Sequence, residues 1–267
     1  MQSPANRRCQ RVAHRGGAAL APENTLAAFG NVRQWPVDAI ELDVQLSRDG
    51  QVVVFHDHSV QRLTEGQGNL LDLDLADLQA LNAAAHFPGG WPEVQRIPLL
   101  RTVLEFVRPG NLDVHIEIKH GVRATVPIRY PGIAEAVLRE IDAAGMLARV
   151  LLISFDWQLL SHVKVLAPTV PTGVLVAGSL WDPAGRDALS DLADEVCSLQ
   201  CEWIGMQQSL FTPRMVDVFH ARDLSLGIWT VNALADLHEL AQAGVDALTS
   251  DRPDLFAALP AALFERR

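Results

Sequence analysis

The sequence predicts an α/β protein, a closed (β/α)8 TIM barrel with a small insertion after the second strand, and three observations lead there. Strand-like and helix-like segments alternate along nearly the whole chain, and counting them gives about eight units. Residues able to carry chemistry, His14, Glu41, Asp43, Glu117, Lys119 and Trp229, fall at or near the ends of predicted strands, where barrels present their functional groups. Neither G-x-G-x-x-G nor G-x-x-x-x-G-K-[ST] occurs, although the competing doubly wound sheet calls for a Gly-rich turn after its first strand.

The elements follow in order. Gln10 to His14 is a short strand closing on Arg15-Gly16-Gly17, where the glycines permit a turn that side chains would obstruct. Asn24 is the expected N-cap of a helix over Leu26 to Phe29. Asp38 to Asp57 reads as a strand, a turn at Asp49-Gly50 and a returning apolar run, Val52 to Phe55, that ends at His56-Asp57. From Asp57 to about Pro98 the pattern is irregular, with a helix-like run at Asp72 to Leu81, and predicts an insertion over one end of the domain. Regular order resumes with a helix over Leu100 to Val107, a strand over Asp113 to Lys119 and a helix over Gly132 to Ala144. Strands are then expected at Val150 to Ser154, Gly173 to Ala177, Trp203 to Gln207, Leu224 to Val231 and Asp246 to Thr249. The intervening helices are expected at Asp156 to Leu166, Ala184 to Glu195, Pro213 to His220, Ala233 to Ala243 and Pro253 to Leu259.

A chain of 267 residues, 49% hydrophobic, suffices for one large core and a single domain. Its formal charge of -10, from 32 acidic and 22 basic residues, argues against nucleic acid or an anionic membrane surface as the main partner. A small phosphate-bearing molecule stays open, because local cations and a bound metal draw an anion whatever the net charge. The amino terminus lacks an apolar stretch of signal-peptide length, and no window approaches the ~18 apolar residues of a membrane span. The expectation is a soluble, cytoplasmic protein without stable membrane insertion; the oligomeric state is open. Cys9, Cys197 and Cys201 suit reduced thiols better than a disulfide framework, and packing better than metal.

The chemistry concentrates in ELDVQL. Ile40, Leu42, Val44 and Leu46 alternate with Glu41, Asp43 and Gln45, so a strand points two carboxylates the same way, as metal ligands require. An isolated E-x-D is more often an exposed edge strand whose acids face water. Here the returning run brings an imidazole, His56, beside the acids, and Asp113 to Lys119 adds His115, Glu117 and Lys119 on one face. His115 is a candidate supporting residue deeper in the barrel, and Ser154 and Glu202 are candidate pocket residues. His58, His86, His120, His162, His220 and His238 are expected at the surface or behind the site.

These residues resemble the glycerophosphodiester phosphodiesterases. The matching pieces are AHRGG at Ala13 to Gly17, PENTLAAF at Pro22 to Phe29, ELDVQLSRDGQVVVFHD at Glu41 to Asp57, IEIK at Ile116 to Lys119, WTVN at Trp229 to Asn232 and GVDALTSDRPD at Gly244 to Asp254. They run in the family's order from about Gln10 to Leu259; Ser47 and Ala247-Leu248-Thr249 depart from its usual pattern without touching a catalytic position. The resemblance implies a divalent metal, Mg²⁺ or Ca²⁺, held by Glu41, Asp43 and Glu117, with His14 and His56 as general acid and base. Arg15 and Lys119 would clamp the phosphate and Trp229 would pack on the glycerol. It implies a glycerophosphodiester, a small molecule, as substrate, cleaved to glycerol 3-phosphate and an alcohol. Relatives that act on lysophospholipids are a variant of that chemistry, and a catalytically silent barrel serving as a binding module is the alternative of another class.

Overall fold

The computed structural model describes residues 8–123, 125–181 and 188–265. In chain order its strands are β1 (Gln10–Ala13), β2 (Ala39–Leu46), β3 (Val52–Val54), β4 (Asp113–Ile118), β5 (Gly121–Arg123), β6 (Val126–Ile128), β7 (Val150–Ser154), β8 (Thr172–Val176), β9 (Trp203–Gln207), β10 (Ser225–Trp229) and β11 (Ala247–Ser250). Eight of these pair in parallel around a ring, β1-β2-β4-β7-β8-β9-β10-β11, and the β1 to β11 pairing closes it. The helices are α1 (Leu26–Asn31), α2 (Leu75–Ala80), α3 (Leu100–Val107), α4 (Ile133–Ala143), α5 (Trp157–Leu166), α6 (Ala188–Ser198), α7 (Arg214–His220) and α8 (Leu234–Ala243). All but α2 follow a barrel strand, so the chain is a (β/α)8 barrel, and β11 is followed by a 3-10 segment, Pro253–Ala258, in place of an α-helix.

Why these residues make a barrel is visible in β2, all eight residues of which are buried. Ile40, Leu42 and Val44 pack outward in one apolar cluster with Leu100, Val103, Leu104 and Val107 of α3. The alternate residues, Glu41, Asp43 and Gln45, therefore face the lumen. The alternation that reads from sequence as half-exposed is an inside-outside alternation in a closed sheet, and the acids face no bulk water. A second outer cluster joins β8 to β11 with α6, α7 and α8, while the lumen holds only a small apolar group that includes Val12, Leu151, Ile153, Leu175 and Trp203.

The indole of Trp203 at the bottom of the lumen is housed by glycines on three adjacent strands. A Cβ on Gly173 would lie 2.9 Å from Trp203 Cβ, one on Gly205 2.9 Å from its Cζ3, and one on Gly227 2.0 Å from its Cη2. No side chain at Gly227 can coexist with this indole.

The structure refines several sequence expectations. Thr25, not Asn24, caps α1: its hydroxyl accepts from the Ala28 amide at 3.2 Å, and Asn24 sits in the left-handed region at φ 58. The irregular segment after β3 has a core of its own, Val60, Leu70, Leu78, Ala83 and Ile97 against Val53 and Phe55, with only a short helix, α2, in the expected run. The β5–β6 hairpin, three residues a side, was too short to show a period. The expected helix start at Ala184 lies outside the described residues, and α6 is described from Ala188. Cys9, Cys197 and Cys201 lie outside any disulfide, and Cys9 and Cys201 are buried. Among the described residues no helix is long and apolar enough to cross a membrane.

Gly227→Ala should therefore lower stability by about 1–3 kcal/mol through overpacking. Gly30→Ala, where the new Cβ meets only Phe106 Cζ at 3.6 Å, should be neutral or stabilising in a helix. Urea unfolding of the two variants checks the contrast.

Candidate active site

The site begins where β1 ends. His14, Arg15 and Gly16 form a kinked tight turn, with Arg15 at φ 51, Gly16 at φ 80 and Gly17 at φ 87. A Cβ on Gly16 would fall 2.8 Å from Ala28 Cβ, and one on Gly17 2.8 Å from Pro253 Cγ, so the turn packs where only glycine fits. It aims the Arg15 amide at Glu41 Oε2, 3.0 Å away.

Glu41 and Asp43 of β2 meet Glu117 of β4 because Asp43 and Glu117 are register partners in the parallel ladder. The three buried carboxylates offer oxygens that all lie within 4.8 Å of one another. Lys119 Nζ stands 2.8 Å from Glu117 and 3.5 Å from Asp43, and Arg15 Nε 3.4 Å from Asp43. Asn24 Nδ2 donates to Asp43 Oδ2 at 2.8 Å. The acids respond in opposite directions. Burial, reinforced by Asp43, holds Glu41 well above the usual carboxylate range. Burial pushes Asp43 the same way, but Lys119, Arg15, His56 and the Asn24 hydrogen bond outweigh it and hold Asp43 well below that range. Asp43 Oδ1 is buried with no hydrogen-bond partner among the described residues. An all-oxygen donor set, mutual repulsion and an orphaned carboxylate oxygen together fit a hard divalent cation such as Mg²⁺ or Ca²⁺.

Two imidazoles flank the carboxylates. His14 Nδ1 lies 2.6 Å from Asp251 Oδ1, and Asn232 Nδ2 steadies the other Asp251 oxygen at 2.7 Å. His56 Nδ1 lies 2.6 Å from Asp57 Oδ1, and Arg62 holds Asp57 at 2.5 and 2.9 Å while reaching Glu23 at 2.7 and 3.0 Å. Although burial raises them, Asp251 and Asp57 are both held low, Asp251 chiefly by His14 and Asp57 by His56 and Arg62. An ionised carboxylate only accepts, so each histidine donates from Nδ1 and keeps Nε2 for the cavity. His14 Nε2 is 3.8 Å from Glu41 Oε2. Burial lowers the His14 pKa, and Asp251 and Glu41 more than reverse this, leaving it raised.

His56 is placed by β2 as well. Gln45 Nε2 donates to the carbonyls of Phe55, His56 and Asp57 at 2.8, 3.1 and 2.9 Å, and the Tyr130 hydroxyl donates to Gln45 Oε1 at 3.0 Å. Three successive lumen-facing residues of one strand thus supply two acids and the anchor of a histidine.

The cavity over this cluster, ≈ 110 Å³, has a charged wall of His14, Arg15, Glu41, His56, Glu117 and Lys119. Ile153, Phe155, Leu175, Trp203 and Trp229 form the apolar wall opposite, and Trp229 Nε1 is buried without a partner among the described residues. The structure thus brings together His14, Arg15, Glu41, Asp43, His56, Glu117, Lys119 and Trp229. His115 lies deeper, its pKa pushed down to about 4 by burial. Two expectations are corrected. Ser154 does not line the cavity: its hydroxyl donates to the Ile118 carbonyl at 2.8 Å and accepts from the Asp156 amide. Glu202 precedes β9 at the far end of the barrel, paired with Lys164 and the Thr172 amide. Sequence reasoning missed Asp251, Asn232, Arg62 and Glu23, which act only through pairings across the fold; Asp57 carried a signal, standing next to His56.

Residues 14–255 match the model of the "Glycerophosphoryl diester phosphodiesterase family". A glycerophosphodiester phosphodiesterase of Caldanaerobacter subterraneus is 34% identical over 245 residues, covering 91% of this chain and 94% of the relative. One of Bacillus subtilis is 30% identical over 259 residues, covering 92% and 84%. Among solved structures, a phosphodiesterase of Oleispira antarctica in complex with the product sn-glycerol-3-phosphate superposes with a TM-score of 0.77 at 26% identity, covering 94% of this chain and 96% of that one.

Asn24 gives this site a stability test. Asn24→Gly removes the donor to buried Asp43, a loss of about 1–3 kcal/mol, and tolerates the left-handed backbone. Asn24→Ala should lose a further ~1 kcal/mol from that backbone, and denaturant unfolding of both variants separates the two effects.

Proposed function

The chain belongs to the glycerophosphoryl diester phosphodiesterase family, and from that membership and the cavity's geometry we propose that it hydrolyses glycerophosphodiesters to sn-glycerol 3-phosphate and an alcohol, with a divalent metal ion and two catalytic histidines. The observation that carries this reading is the pair of imidazoles, each tied at Nδ1 to a carboxylate, on one wall with Arg15, Lys119 and three clustered acids.

Glu41, Asp43 and Glu117 would hold the metal ion. Bound there, a divalent cation supplies positive charge that stabilises the phosphoryl oxygens as negative charge builds on them. The chain's own residues do the rest. Arg15 and Lys119 draw the phosphodiester monoanion to the charged wall, and Trp229 packs on the glycerol. One histidine takes the proton of the glycerol hydroxyl next to the phosphate at Nε2, and that oxygen bonds to phosphorus. The other protonates the departing alcohol oxygen as its bond to phosphorus breaks, leaving a cyclic phosphate that water opens with the two roles reversed. Asp251 and Asp57 fix the ring orientations, and Asp251 favours the protonated form of His14. Residues 1–267 would act as a single domain, with the insertion at 57–98 framing the cavity mouth; Arg62, its link to Glu23 and Asp57, supports this placing. Cysteines outside any disulfide suit a cytoplasmic setting.

Chelation should abolish turnover and lower the melting temperature, and Mg²⁺ or Ca²⁺ should restore both, because a ligand of the folded state stabilises it. Full activity in a verified metal-free preparation refutes the metal's role. Glu41→Gln should weaken the metal response while the barrel stays folded.

His14→Ala and His56→Ala should each lower kcat by roughly 10²-fold or more, the usual loss of a positioned acid or base, with the metal's effect on melting temperature retained. A diester with a very acidic leaving group should rescue the variant lacking the acid and not the other. Near-normal turnover by both variants on a glycerophosphodiester rules out these roles.

A further inference from the structure

Beneath the catalytic cavity lies a second, larger one of ≈ 780 Å³, at the end of the barrel where the strands begin. Two residues line both, Trp203 and His115. They stand edge to face, ring centroids 5.6 Å apart at 74°, and His115 is 3% exposed. This layer is the floor of the upper cavity and the ceiling of the lower. Trp203 makes most of it, because Gly173, Gly205 and Gly227 leave the indole room to cross from β9 over β10. The register sets the order of depth: Trp203 and Ser225 pair at the bottom, Gly205 and Gly227 above them, and Gln207 and Trp229 at the rim.

The upper cavity has its cations, acids and catalytic imidazoles on one wall and apolar side chains on the other. A phosphodiester with phosphorus at the charged wall must run its organic group along the apolar one, past Trp229 and Leu175. That path ends on the indole. On the hydrolase reading above, we propose that Trp203 is a specificity-determining residue: it sets the depth of the cavity and limits the polyol it admits to about the length of glycerol. Large-to-small replacement in a packed interior leaves a cavity that surrounding side chains fill only in part. Here the gap would open into the space below.

The test measures binding of sn-glycerol 3-phosphate and of ribitol 5-phosphate, a polyol phosphate two carbons longer, to the full-length protein by calorimetry with Mg²⁺ present. Wild type should prefer the glycerol compound by tenfold or more. Trp203→Ala should reduce that preference at least tenfold, and added indole, filling the gap, should bring it back. Trp203→Leu, which keeps an apolar side chain in the layer and guards against a misfolded alanine variant, should fall between. A wild type that binds both compounds equally, or a preference unchanged in the folded variants, overturns the assignment. Turnover of glycerophosphocholine, assayed in parallel, separates the two claims. A shifted binding preference without turnover keeps the floor and rejects the reaction, and normal turnover with an unshifted preference does the reverse.

Discussion

Three carboxylates held within 4.8 Å of one another in a closed lumen are the constraint on which the rest of the site depends. Each charge taken out of water carries a penalty of several kcal/mol that only close counter-charge and hydrogen bonds offset. The chain supplies these from short sequence distances. Lys119 follows Glu117 by two residues, and Arg15 arrives on a turn whose glycines let it pack against Ala28 and Pro253. Asn24 adds a neutral donor from the left-handed residue just before the helix cap. Burial first, and then the neighbouring acids, hold Glu41 high, and two cations against three acids leave an excess of negative charge that suits a divalent ion.

The two histidines reach this cluster by different routes. His14 takes its carboxylate from Asp251, 237 positions away, so its orientation exists only once β1 has paired with β11 and the barrel is closed. His56 takes its carboxylate from its neighbour, but its backbone is fixed by Gln45, and Gln45 by Tyr130 from beyond β6. The series His56, Asp57, Arg62, Glu23, Arg15 then links the second imidazole to the turn that carries the first. A network of this kind resists deformation because moving Arg15 or Glu23, its well-covered members, leaves a desolvated charge without its partner.

What the sequence revealed and what it hid divide along a physical line. The longer barrel strands and helices announced themselves through periodicity, and α3, β7 and β9 fall where the pattern put them. Local motifs named eight of the residues that meet at the cavity and its acid cluster. The partners that orient them were not legible, because a carboxylate such as Asp251 looks like any surface acid until closure brings it to His14. Asn24 misled for a related reason. Asn caps helices and also tolerates the left-handed region, and only the position of Asp43 decides between those uses. Glu202 misled because a strand has two ends, and only topology says which end bears the site.

The same closure explains how the barrel tolerates so polar a lumen. Its apolar burial is outside the ring: Ile40, Leu42 and Val44 against α3, and Ile204, Met206, Leu226 and Ile228 against the later helices. Burial on that side scales with apolar area removed from water and is indifferent to what the inward side chains are. β2 can therefore devote three consecutive inward positions to two acids and an anchor without giving up its packing. The lumen needs only enough apolar material to set the shape of the cavity, and one indole among three glycines provides much of it. Most apolar burial and most of the chemistry thus occupy opposite faces of the same strands, and where they meet, at the indole and its three glycines, a change inside the ring costs stability as well as shape.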